Sequence, residues 1–155
     1  MPIRKDELPD ALTHLAFDIF YFRLYVKKLK VGGAQENFQA MIYSLLLHFR
    51  LLIDFFYGEP KQDDCCVCHF DLLDGFEQAF PLDLRAEPKW KREVSGHLNK
   101  RLAHFTASRW RDPRPVMDYY SKHFGTILDL LDRFEKALPP DSRRELEMAT
   151  AAFNP

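Results

Sequence analysis

Apolar residues recur along this chain at steps of three and four, in four long blocks. In the first, Leu8, Leu12, Leu15, Ile19, Phe22, Val26 and Leu29 share one helical face. Pro9 and Asp10 suit a helix start and Gly32 with Gly33 a stop, which predicts a helix over about 9–30. The second block runs from Gln35 to Tyr57, with Phe38, Met41, Ile42, Leu45, Leu46, Phe49, Leu52, Ile53 and Phe56 on its main face. Leu47 and Leu51 fall on the opposite side, and a helix apolar nearly all round is expected to be buried. Gly58 and Pro60 end it.

Residues 58–86 break the pattern. A polar turn, GEPKQDD, leads into CCVCH, and FDLLDGFEQAF predicts a short helix broken by Gly75 and stopped by Pro81. The third block begins near Pro88, which suits a first helical turn. Its core face is Trp90, Val94, Leu98, Leu102 and Phe105, and Asp112, Pro113 and Pro115 close it. The fourth spans about 114–138, with Val116, Tyr120, Phe124, Ile127, Leu131, Phe134 and Leu138 in its seam and Pro139 and Pro140 as a stop. Ser142 to Ala152 reads as a short terminal helix or a mobile tail.

The pattern predicts an all-α fold, an antiparallel four-helix, up-and-down bundle. A short extra helix lies in the loop between helices two and three, and a short helix at the C-terminus. One domain covers 1–155, with its core over about 9–138 and 139–155 as the tail.

Composition narrows this further. With 155 residues the chain is long enough for a packed core. Only 6 glycines disfavour a turn-dense β protein, and 14 phenylalanines make the core aromatic. No run of about 18 apolar residues goes uninterrupted by Arg, Lys, Asp or Gln, so no membrane segment is expected. The stretch MPIRKDELPD has no apolar signal core, and the expectation is a cytoplasmic protein.

The CCVCH string needs weighing. Cys65, Cys68 and His69 fit Cys-x-x-Cys-His, the attachment pattern of a c-type haem. Such attachment also wants an export signal. A zinc site would draw on Cys65, Cys66, Cys68 and His69 but wants a second pair of ligands further along, for which only His14, His48, His97, His104 or His123 stand by. The plainer expectation is a loop of free thiols without cofactor or metal, Cys65, Cys68 and His69 being the alternative site.

Two helical stretches carry candidate chemistry. In HFRLLIDFF, Arg50 and Asp54 stand four apart and face the same way. A structural ion pair is the first reading, and orientation of a residue on a neighbouring helix the second. In KREVSGHLNKRLAHFTASRW, His97, Arg101, His104 and Ser108 make one stripe, with Lys100 beside it. Imidazoles flanking a guanidinium suit phosphate chemistry, because one moves a proton near neutral pH and the other holds phosphate bidentately. A solvated face with His104 half-buried is the bland reading. The net charge is only −1, yet Arg85 to Arg114 holds nine basic and three acidic residues. That local excess suits RNA backbone contact, and equally docking against an acidic face of the same bundle.

Arg50, Asp54 and Phe55, followed by Asn99, Lys100, Ala103, His104 and Thr106, resemble paired motifs of uncharacterised bacterial proteins in the HEPN (higher eukaryotes and prokaryotes nucleotide-binding) superfamily. The likeness spans about residues 35–135. It implies a helical bundle that dimerises, and in many members a metal-independent ribonuclease in which an Arg and a His, four to six residues apart, act on the scissile phosphate while the RNA 2′-hydroxyl attacks. Other members are inactive binding or assembly modules. On that likeness His104 is the acid/base, Arg101 or Lys100 contacts phosphate, and Arg50, Asp54, Asn99 and His97 support them. The chain departs from the pattern at Asn99, which stands five positions before His104 where the family's Arg would be. Arg92 and His97 do satisfy the spacing, one to two turns early. The expected partners are RNA and a second copy of the chain.

Overall fold

The computed structural model describes residues 3–31, 38–59, 65–99, 102 and 117–153. Among the described residues the fold is all-helical, with no strand. Helix α1 is Leu8–Val31 and α2 is Phe38–Tyr57. A 3-10 turn, Val67–Leu72, precedes the short α3, Phe76–Ala79. A second 3-10 turn, Leu82–Arg85, leads to α4, Lys89–Leu98. Helix α5 is Met117–Ala137 and α6 is Pro140–Ala151.

The seam of α1 buries as its spacing predicts: Leu8, Leu12, Ile19 and Phe22 are at most 1% exposed. Helix α2 is the centre of the fold. It is long and apolar enough to cross a membrane by composition alone, yet it packs inside the protein against α1, α4 and α5. Leu45, Leu46, Phe49, Leu52 and Ile53 lose all solvent contact. It is not buried all round, however. Leu47 and Leu51 remain 43% and 42% exposed, because its neighbours leave the side that carries them open. Gly58 ends α2: its N–H donates to the Asp54 carbonyl at 2.7 Å, and a side chain there would run into that oxygen.

Helix α6 packs against α1 and is joined to α5 by a cation. The Arg143 guanidinium donates to the carbonyls of Glu135, Lys136 and Leu138 at 2.9, 2.6 and 3.0 Å. Those are the orphan acceptors at a helix C-terminus, and a positive charge also suits that end of the dipole. Pro140 is therefore a start as well as a stop, since the missing N–H of proline costs nothing in a first helical turn. Arg23 ties α1 to α5 through Asp132 and Glu135, at 2.6 and 2.7 Å.

The irregular segment is anchored by aromatics and one arginine. Phe70, Phe76 and Phe80 are fully buried. Arg85 makes two 2.6 Å bonds to the Asp71 carboxylate and also donates to the Phe80 carbonyl. Of the third and fourth predicted helices, Lys89–Leu98 and Met117–Ala137 are described. Phe105, Asp112 and Val116 lie outside the described residues.

Candidate functional site

A groove of about 1000 Å³ runs between α1, α2 and α4, with the Cys65–Cys66 segment at its edge. Each wall contributes polar groups from positions just off an apolar seam. Helix α1 supplies His14 and Asp18, and α2 supplies Arg50 and Asp54. Glu87, Lys91, Arg92 and Asn99 come from α4 and its flanks.

Arg50 and Asp54 do face the same way, as their spacing requires, with Arg50 Nε 3.8 Å from Asp54 Oδ2. The pair is not sealed in the core: the Asp54 side chain is 51% exposed and that of Arg50 30%. The Nε atom itself is buried and has no hydrogen-bond partner among the described residues. Across the groove the Asn99 Oδ1 is in the same condition, as is Ser95 Oγ one turn before it. Buried polar atoms are paired in the great majority of cases, and two of these atoms belong to residues that line one groove.

His97 does not join them. It is exposed and stacks on Tyr119 of α5, with ring centroids 5.3 Å apart. Arg92 lines the groove, so α4 sends the two members of the early Arg-x4-His pattern to different surroundings. Lys100, Arg101 and His104 lie outside the described residues, as do Thr106 and Ser108.

Among the described residues, charge in the groove leans acidic, four carboxylates to three cations. The carboxylates Asp18, Asp54, Glu59 and Glu87 face Arg50, Lys91 and Arg92. Part of the basic excess in 85–114 is also used internally. Arg85 is spent on Asp71, while Arg92 and Lys91 reach Glu87 at 2.9 and 3.5 Å. The Arg92 hydrogen bond holds the Glu87 carboxyl below its ordinary range, so it stays charged at neutral pH.

The cysteine segment departs from the expected loop of free thiols. Cys66 and Cys68 form a disulfide, one residue lying between them on the turn that starts at Val67. Cys65 is the free thiol, half-buried against the core, and burial pushes it up to about 11. Haem attachment needs Cys65 and Cys68 both as free thiols, and Cys68 is tied to Cys66 instead. Cys66 replaces Cys65 in the cluster with Cys68 and His69, whose ligand atoms lie within 4.8 Å of one another.

Two arrangements escaped the sequence reading. His48, 5% exposed, donates from Nδ1 to Asp18 Oδ1 at 2.8 Å and stacks on Tyr21. Asp18 thus turns one side to a buried imidazole and another to the groove. The available signal was a lone carboxylate in the aromatic run FDIFYF, which needs a partner wherever that face is covered. The second is the stack of His123 on Trp90, with centroids 4.4 Å apart.

Comparison with protein-family models, with curated proteins and with solved structures finds no match to this chain.

Proposed function

We propose that this chain is an RNA-binding protein of the HEPN kind and a metal-independent ribonuclease, in a four-helix, up-and-down bundle. The observation that carries the reading is that Arg50 Nε and Asn99 Oδ1, on two residues that line one groove, are buried without a partner among the described residues. A guanidinium with an unused N–H is a ready donor for a phosphate oxygen, and an amide adds its own donors and acceptor for ribose or base. Asn99 is followed in sequence by Lys100 and Arg101, with His104 five positions on, the groups assigned to phosphate contact and proton transfer. In this scheme the ribose 2′-hydroxyl attacks the adjacent phosphorus as the P–O5′ bond breaks, leaving a 2′,3′-cyclic phosphate, and His104 takes the hydroxyl proton and returns it to the departing 5′-oxygen. Asp54 holds the Arg50 guanidinium in place. With four carboxylates to three cations, the groove suits at most a short single-stranded segment, few of whose phosphates need neutralising, over a duplex. The protein acts in the cytoplasm as a homodimer.

A second reading has its own support. The exposed leucines Leu47 and Leu51, on the same helix as Arg50, suit a non-catalytic interaction module in which this face meets another protein. One experiment separates the two. Single-stranded RNA is incubated in EDTA with wild type, His104→Ala and Arg50→Gln, and all three are melted. The expected result is cleavage by wild type and a loss of roughly a hundredfold or more in His104→Ala at an unchanged melting temperature. Protein that neither cleaves nor binds RNA at low salt sinks the ribonuclease reading and leaves the interaction module.

A further inference from the structure

Residues 66–69 carry three metal-ligating side chains in four positions, and the fold keeps them together. Val67 and Phe70 stand three apart on the 3-10 turn and are both buried, at 3% and 0% exposure. The Phe70 ring meets Phe134 at 5.1 Å and Phe76 at 5.8 Å. The next residue, Asp71, is gripped by Arg85. Pinned through these side chains, the turn gathers its other three. Cys66 Sγ stands 3.4 Å from His69 Nδ1, which also accepts the Cys66 N–H at 3.1 Å, and one ligand atom each of Cys66, Cys68 and His69 lies within 4.8 Å of the others.

We propose that this turn, when its sulfurs are reduced, is a binding site for one zinc ion held by Cys66, Cys68 and His69. Two thiolates and a neutral imidazole are a donor set that zinc favours, and the two thiolate charges neutralise the dication. Zinc bonds of about 2.3 Å to sulfur and 2.1 Å to nitrogen set tetrahedral donors about 3.5–3.8 Å apart. The donor atoms, within 4.8 Å of one another, are already gathered on that scale. Calcium and magnesium are poor occupants, because all three donors are sulfur or nitrogen. Three protein ligands leave a tetrahedral ion one position for water or an outside ligand.

The Cys66–Cys68 disulfide and the zinc site exclude one another. Two equivalents of a small thiol convert the disulfide to two thiols and leave as their own disulfide. The cation then displaces both thiol protons. The site thus exists in the reduced chain and not in the oxidised one, and it is independent of the RNA reading.

The test uses the full chain, reduced with a phosphine under argon and titrated with Co2+ as a coloured stand-in. The expected result is a sulfur-to-cobalt absorption band that saturates at one cobalt per chain and is bleached by Zn2+. Cys66→Ser and Cys68→Ser should abolish it, His69→Gln should weaken binding roughly tenfold or more, and Cys65→Ser should leave it intact. Oxidised wild type, which needs no substitution and so no refolding control, should show no band. The proposal is overturned by a reduced wild type without a band, by a band of equal strength in the oxidised protein or in the two serine variants, or by its loss in Cys65→Ser.

Discussion

His123 sits in a setting that moves its proton affinity. Its ring lies on Trp90, and burial there holds its pKa below the ordinary value, with Lys122 adding to the depression and Glu93 opposing it. The folded state thus takes up a proton less readily than the unfolded chain. As pH falls through about 6.5 the unfolded chain protonates first, so stability is lost from there down to the folded value and no further below it. Urea denaturation of wild type and His123→Gln, from about pH 8 to about pH 5, reads this as a difference. Wild type should lose stability relative to the variant across that window, and a difference flat with pH would rule the effect out. Such a site was hard to read in the sequence, since His123 lies twenty-six residues after His97 and nothing in its local pattern points to Trp90. Arg50 with Asp54 was the opposite case. Their shared face follows from helical spacing alone, while their exposure depended on which neighbours arrive.

Among elements, the helices were legible and the connection between α2 and α4 was not. An amphipathic helix repeats its instruction every three or four residues, and the seams of α1 and α5 bury accordingly. Residues 66–85 carry no repeat; they are placed by single side chains fitting a site formed elsewhere. Phe134 of α5 is that site. Its ring meets those of Phe55 and Phe56 from α2, Phe70 from the first 3-10 turn, Phe76 from α3, and Phe80. Fully buried, it joins the irregular segment to two long helices. Phe134→Ala should therefore cost about 3–5 kcal/mol by urea denaturation, and Phe134→Leu clearly less. A cost under about 1 kcal/mol for the alanine variant would show that the cluster closes without its centre. The fourteen phenylalanines hinted at such a core, but composition names no hub.

At the scale of the whole molecule, helical class followed from periodicity, whereas partners among helices had to be seen. Pro139 and Pro140 read as an end, yet α6 follows at once and covers α1. The proposed homodimer belongs at this scale too. If Leu47 and Leu51 form its seam, Leu47→Glu with Leu51→Glu should convert a sedimenting dimer to a monomer of unchanged helicity. Wild type that sediments as a monomer at every concentration would end that idea. The pairing of α1 with α6 has a consequence for how the protein is made. The rings of Phe17 and Phe20 of α1 meet that of Phe153 edge-on and tilted, at 5.4 and 6.1 Å, more than one hundred and thirty residues later. During synthesis, α1 leaves the ribosome well before α6 and must wait for that whole intervening stretch before Phe153 can reach its aromatic face. For that interval it is the surface on which a chaperone, or another nascent chain, would act first.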